Sequence, residues 1–452
     1  MARKKNCPKS ISELTELCRE SYMIPEKAFT TSNVKRGLRN SDGSGVVAGV
    51  TNLGLVHGYV LYEGEKRPDE GKLLYRGYDV EKLVEGYIKE NRYGFEECAF
   101  LLLFGVLPTA KQLEYFKSLV ADYATLPLNF TEDVILRAPS RDIMNKIQSG
   151  ILALYSYDEN PEDNSLENQF RQSIQLIARI PTIAAHAYSV KRHVFDQDSL
   201  LLHRPMPGLS CAQNFMRILG KDVTFSEKEA RLLDLCMVLH AEHGGGNNST
   251  FAARVLSSTG TDIYSSISAA VGSLKGPKHG GANIKVDEMF TDIKNNLKDW
   301  NDDDEIKAYL EKILKKEAGD GSGLIYGMGH AIYTKSDPRA VLLKKYAKDL
   351  AKENGFDNEF NLLEKIEKLS PAVFTKVTGV DKTLCANVDM YSGLVYRMMR
   401  IPTELFTPLF ATARVAGWCA HRIEENLTGG RIIRPAYKTN YAVKKYVPIS
   451  KR

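Results

Sequence analysis

From Asp79 to Glu425 apolar residues recur at three- and four-residue spacings with few interruptions, and this constrains the fold more than any other feature of the chain. Asp79 is placed to cap a helix running through Leu83 and Tyr87. Phe95–Phe104 reads as an apolar helix stopped by Gly105 and Pro108, and Ser226 with Glu229 forms a capping box that opens another helix, running to His243. The same pattern predicts helices over 111–123, 133–155 in one or two pieces, 165–192 as one long helix or two with an interruption near Pro181, 209–219, 262–274, 284–297, 304–316, 338–354 and 359–369. Two long apolar stretches, 383–399 and 402–425, follow. A short amphipathic helix over 10–20 is expected after a basic leader. Only Val46–Tyr62 has strand composition, and Pro68–Gly71 reads as a turn. The expected class is therefore all-α, with a small N-terminal β-hairpin.

Within this pattern the charge is uneven. Residues 284–370 are rich in Lys, Asp and Glu, while the flanking stretches are more apolar. The expectation is a large helical domain, 1–281 with 400–452, into which a smaller helical domain, 282–399, is inserted. A chain of 452 residues is long enough for roughly two or three domains. The balance of 61 basic against 56 acidic residues argues against nucleic acid as a partner. The longest apolar run, Cys98–Leu107, is too short to span a bilayer. No apolar segment follows the basic start, and the 7 cysteines are widely spaced without a C-x-x-C. Reduced thiols and a cytoplasmic location are the expectation.

Several polar residues stand where their surroundings make them conspicuous. His279, in G-P-K-H-G-G-A-N at 276–283, follows a helix that Pro277 would end, and Gly280 and Gly281 leave room for a ligand to approach. His330 is similarly flanked in G-M-G-H-A. It is followed by Asp337-Pro338-Arg339, either a plain helix start or an anion clamp. Asp389 is the only charged group between Thr383 and Tyr396, so desolvation would raise its basicity, which suits a general base; it is equally placed to cap a helix beginning near Tyr391. Arg414 sits in an Ala- and Gly-rich helix and needs an anionic partner, in a structural salt bridge or a substrate carboxylate. His240 and His243 share a helix face, but no H-E-x-x-H is present, so no metal site is expected. The triple glycine 244–246 lacks the G-K-[ST] of a phosphate loop and is expected to end a helix and allow close packing at His243. Together these groups suit proton abstraction and carbonyl polarisation on a polyanionic substrate.

The order of these motifs resembles the citrate synthase family. The resemblance rests on L-H-A-E-H-G-G-G-N at 239–247, G-P-K-H-G-G-A-N at 276–283, G-M-G-H-A at 327–331, D-P-R at 337–339, N-V-D-M-Y-S-G at 387–393 and Arg414. L-Y-R-G-Y-D at 74–79 and Ile433-Arg434-Pro435 extend it over nearly the whole chain. It implies an acyltransferase that condenses acetyl-CoA with oxaloacetate and hydrolyses citryl-CoA, with the active site in a cleft that closes between the two domains. Asp389 would be the base, His279 would stabilise the enol, and His330 would polarise the oxaloacetate carbonyl. His243, Arg339 and Arg414 would hold oxaloacetate, and Arg434 would reach in from the other subunit of a homodimer. Acetyl-CoA would be a co-substrate, with no permanently bound cofactor and no metal.

Two positions depart from the family pattern. Thr334 stands where many members carry a basic residue associated with coenzyme A phosphates, leaving Lys335 for that role. Ala386 replaces a proline before N-V-D, which bears on local rigidity. The competing readings are 2-methylcitrate synthase acting on propionyl-CoA, a citryl-CoA lyase-type activity, and a non-catalytic helical dimer. One methylene in an apolar pocket discriminates by only about 1–3 kcal/mol, so the acyl preference is not legible.

Overall fold

A computed structural model describes residues 11, 15 and 22–451, apart from 64, 221, 223 and 429. The chain divides into two compact units, Ala48–Ile432 and a smaller one composed of Met1–Val47 with Ile433–Arg452. The helix expected over 10–20 falls almost wholly outside the described residues. In the smaller unit a short helix, Glu26–Thr31, and a single turn, Arg36–Leu38, bury no side chain. Arg434 belongs to this unit and is exposed.

The larger unit is built of helices with one small antiparallel sheet, an all-α architecture. Strands β1 (Gly54–Tyr62), β2 (Glu65–Tyr75) and β3 (Tyr78–Asp79) pair in that order. The strand starts later than Val46 because the chain before it is committed elsewhere. Thr51 Oγ1 and the Asn52 N–H donate to the Glu424 carboxylate at 2.7 and 2.8 Å instead of joining a ladder. The expected turn at Pro68–Gly71 lies inside β2; the chain reverses between Tyr62 and Glu65. Pro68 is tolerated because it faces Tyr59 next to a bulge between His57 and Tyr59, where the ladder is already irregular.

Helices follow in close sequence: α1 (Val80–Lys89), α2 (Phe95–Phe104), α3 (Ala110–Tyr123), α4 (Ile143–Leu154), α5 (Leu166–Phe195), α6 (Cys211–Leu219), α7 (Glu227–His240), α8 (Asn248–Ser257) and α9 (Ile263–Lys275). Then come α10 (Ala282–Asn296), α11 (Asp303–Leu314), α12 (Pro338–Glu353), α13 (Asp357–Thr378), α14 (Asp389–Met398) and α15 (Phe406–Leu427). The caps at Asp79 and at Ser226 with Glu229 form as expected. Helix α7 ends at His240 rather than His243. Pro181 does not interrupt α5, which runs unbroken through it. Loss of an internal N–H costs about 3 kcal/mol, but Ile177, Ile180, Ile183 and Ala184 bury both flanks, and that packing outweighs it. The segment 131–136 is a π-type turn rather than the start of α4, which Asp142 caps.

The core gathers on α15. This helix packs on α2, α5, α7, α8 and α9, and its buried residues run from Phe406 through Trp418 to Ile423. Helices α10 to α14 form a neighbouring cluster: α10 and α12 pack on α14, and α11 and α12 on α13. Arg397 to Asp287 at 3.1 Å and Lys344 to Glu367 at 2.8 Å tie that cluster together. The described cysteines, Cys98, Cys211, Cys236, Cys385 and Cys419, are free and buried. No helix among the described residues is long and apolar enough to cross a membrane.

Candidate active site

Two arginines on α15 show how the helix divides structural from functional charge. Both Arg414 and Arg422 are buried. Arg422 donates to Gln169 Oε1 at 2.9 Å, Asn164 Oδ1 at 2.7 Å and the Thr261 carbonyl at 2.8 Å, so both of its terminal nitrogens are engaged in the fold and only Nε has no partner among the described residues. Arg414 donates only its Nε, to the His240 carbonyl at 2.5 Å; Nη1 and Nη2 have no partner among the described residues. Burial lowers its pKa to about 10, and Glu242 opposes that shift. A buried guanidinium with two idle nitrogens is unfavourable until an anion meets it. This decides against a structural salt bridge, and the ring of Phe410, 4.7 Å below, only braces the group.

The segment 327–339 presents the opposing wall. Gly327 and Gly329 adopt φ of 82° and 87°, which strongly favours glycine, and a Cβ at Gly327 would lie 3.0 Å from Met390 Cα. His330 is held by its own loop: the N–H groups of Ile332 and Tyr333 donate to its Nδ1 at 3.0 and 3.1 Å. An Nδ1 that accepts carries no proton, so in the neutral ring Nε2 is the donor. Its ring meets His243 edge to face, with centroids 5.2 Å apart. Arg339, the second residue of α12, is clamped by the Asp337 cap through two contacts of 3.0 and 2.7 Å, both residues being buried. Asp337 therefore both caps α12 and fixes the guanidinium.

Asp389 is the first residue of α14 and does not cap it: the N-cap is Val388, and the Asp389 N–H donates to the Asn387 side-chain oxygen at 3.0 Å. The Asp389 carboxylate is raised to about 6 by burial, with Arg339 pulling it down and Asp337 pushing it up. The segment leading into it is stitched to the His330 loop. The Gly329 N–H donates to the Cys385 carbonyl at 2.7 Å, the Asn387 N–H to Gly327 at 2.9 Å, and Met328 bridges Ala386. Rigidity that a proline would have supplied at 386 comes from this bridge.

His279 stands in the loop between α9 and α10. Its Nε2 lies 3.1 Å from Asn247 Oδ1 and 3.0 Å from Ser249 Oγ, and Trp418 Nε1 donates to the same serine at 3.3 Å. Burial depresses the imidazole to about 4, and Arg414 adds to the effect, so the ring is neutral. Gly280 is required by packing rather than by a ligand: a Cβ there would sit 2.4 Å from the Leu274 carbonyl and 2.7 Å from Thr407. His243 is buried and held well below its usual range, first by burial and then by Arg339, His330 and Arg414. The glycines after it admit Val56 and His421. Among the described residues no group of His, Cys, Asp or Glu is placed to hold a metal ion.

The structure thus gathers His243, His330, Arg339, Asp389 and Arg414 into one electrostatic neighbourhood. His279 joins it through Arg414 and through Phe410, whose ring centroid is 6.4 Å away. Lys335 is exposed and bears on Asp69 of the hairpin. Thr334 turns its hydroxyl into the hairpin, bonding to the carbonyls of Gly58 and Asp69 and the N–H of Asp69. Sequence reasoning missed Tyr333, Glu242, Asn247, Ser249 and Phe410. Glu242, buried beside Arg414, bonds His421 at 2.9 Å. It stands inside the quoted H-A-E-H motif as the one charge that no role absorbed.

Three histidines, two buried arginines and a carboxylate of raised basicity form an arrangement chemically suited to taking a proton from carbon beside a polyanion. A family model described as citrate synthase, C-terminal domain, matches residues 43–436. Citrate synthase of Synechocystis sp. is 34% identical over 390 residues, 85% of this chain and 89% of that one. 2-Methylcitrate synthase of Shewanella oneidensis is 33% identical over 84% of this chain and 92% of its own. Among solved structures, citrate synthase of Thermoplasma acidophilum in ternary complex with carboxymethyl coenzyme A and oxaloacetate aligns with a TM-score of 0.75 at 26% identity, covering 93% of this chain and 99% of that one. The chain belongs to the citrate synthase family, and so to the acyltransferases.

Proposed function

We propose that the protein condenses acetyl-CoA with oxaloacetate and hydrolyses the resulting citryl-CoA to citrate and CoA, with the residue roles that follow. The observation that carries the reading is Arg414, buried with two unpartnered nitrogens beside a second buried arginine, Arg339. A pair of guanidinium groups suits a dicarboxylate. His243 adds a neutral hydrogen-bonding ring. His330 directs Nε2–H at the ketone oxygen, the polarity needed to stabilise charge as it develops there.

Asp389 takes a proton from the acetyl methyl, and the neutral His279 ring hydrogen-bonds the thioester oxygen of the enol. Its Nε2 is engaged by Asn247 and Ser249, so Nδ1 is the atom offered to substrate. The enol carbon then bonds the ketone carbon as the thioester carbonyl re-forms; the ketone oxygen takes the Nε2 proton of His330, which solvent restores, and Asp389 releases to solvent the proton it took. Water cleaves the thioester to give citrate and the free thiol.

The domain division at 282–399, the cleft between domains and closure over oxaloacetate belong to the same proposal, supported by the mutual packing of α10 to α14. So do a cytoplasmic homodimer in which Arg434 crosses to the partner subunit's site, a CoA-phosphate contact from Lys335, and the lack of a resident cofactor. Free thiol release from oxaloacetate with acetyl-CoA or propionyl-CoA tests the activity. Release with neither sinks it, and a preference for propionyl-CoA replaces it with 2-methylcitrate synthesis. Mixing inactive Asp389→Ala and Arg434→Ala chains tests the dimer: hybrid dimers regain activity only if Arg434 serves the neighbouring site.

A further inference from the structure

Tyr333 touches three of the groups assigned to oxaloacetate yet has no role so far. Its Oη lies 3.2 Å from His243 Nε2. Its ring packs tilted against His330 with centroids 4.6 Å apart and an interplanar angle of 32°, and the Arg339 guanidinium lies over the same ring at 5.6 Å. Its backbone N–H is one of the two that fix the His330 tautomer. The residue is buried, and burial raises the phenol well above its ordinary range, so it is a neutral hydrogen-bonding group. Its backbone cannot drift, because Gly58 of β1 packs so closely that a Cβ there would fall 2.5 Å from Tyr333 Cα.

A side chain held so firmly, with its one polar atom on His243, does more than fill space. Phenylalanine would fill the same volume. We propose that Tyr333 is a positioning residue for the oxaloacetate half of the site: its hydroxyl orients the His243 ring for the substrate while its ring face sets the plane of His330. This rests on the assignment of His243 to oxaloacetate and goes beyond it. The hydroxyl and the ring are separable, since one acts on His243 and the other on His330.

The test is steady-state kinetics of Tyr333→Phe, His243→Ala and the double variant, with unfolding midpoints recorded alongside. Tyr333→Phe removes one oxygen and keeps the ring. It is expected to raise the KM for oxaloacetate about tenfold, leave kcat within about threefold and leave the KM for acetyl-CoA unchanged. In the double variant the Tyr333→Phe effect should vanish, because its target is gone. An unchanged oxaloacetate KM in Tyr333→Phe, or effects that simply multiply in the double variant, overturns the proposal. A loss of kcat in step with a lowered unfolding midpoint overturns it too, since that marks a purely structural role. If His243→Ala itself leaves the oxaloacetate KM unchanged, the assignment of His243 is what fails.

Discussion

Two loops each carry a histidine between glycines, and in the sequence they look alike, yet they hold their rings by opposite means. His330 is fixed from within: two N–H groups of its own loop converge on Nδ1, and no side-chain substitution removes them. His279 is fixed from outside, by the side chains of Asn247 and Ser249, some 30 residues away in sequence. The glycines differ too. Gly327 and Gly329 supply left-handed backbone, whereas Gly280 makes room for the Leu274 carbonyl and Thr407. The difference matches the tasks proposed for them. A group that polarises a ketone needs one permanent donor, and backbone supplies it. A group that meets an oxygen only as the enol forms can be tuned through its neighbours.

The largest effect should come from the group both loops serve. Asp389→Asn is expected to cut kcat by about 10²–10⁴-fold, the range for a positioned base, while calorimetry shows oxaloacetate binding retained. Retained turnover would break the pairing of both histidines around one base. The same carboxylate sets the pH response. Raised to about 6 in the free protein, it must be ionised to accept a proton, so log(kcat/KM) should be level above that pH and fall with unit slope below it. His279, depressed to about 4, stays neutral throughout and adds no break in that range. Next come the histidines themselves. Removal of either is expected to cost about 10²–10³-fold in kcat. His330→Ala should weaken oxaloacetate binding as well and His279→Ala should not; equal binding losses would erase the contrast.

Much of this contrast was invisible in the sequence, for a physical reason. The caps at Asp79, Ser226 and Asp337 are local events, settled within a few residues, and they read correctly. The order of motifs singled out His279, His330, Asp389 and Arg414, whose roles remain part of the proposal. Periodicity carries no record of what meets across the fold. Thr334 looked like a lost phosphate ligand, but its hydroxyl is spent on β-hairpin backbone more than 260 residues away. Pro68 was read as a turn because the bulge that admits it in a strand has no sequence mark. Asp389 seemed able to cap its own helix, but it is that helix's first residue and Val388 stands at the cap. Nothing in the sequence marks Tyr333, whose contacts with His243, His330 and Arg339 form only in the fold.

The smallest effects should test the distinction most directly, because they leave both rings in place. Ser249→Ala removes the hydroxyl that lies 3.0 Å from His279 Nε2 and links it to Asn247 and Trp418, and so removes one of the two contacts that hold the ring. Loss of one such buried bond costs about 1–1.5 kcal/mol, which is a roughly five- to tenfold fall in kcat with the oxaloacetate KM unchanged. Thr334→Val removes the hydroxyl that ties the His330 loop to the hairpin, but the two N–H bonds onto Nδ1 survive it. It should therefore act as a looser mounting of the whole segment: kcat within about twofold, the oxaloacetate KM raised only a few-fold, and the unfolding midpoint lowered by a few degrees. If Thr334→Val lowers kcat as much as Ser249→Ala does, the His330 ring depends on the hairpin for its orientation, and the claim that its own backbone suffices is wrong.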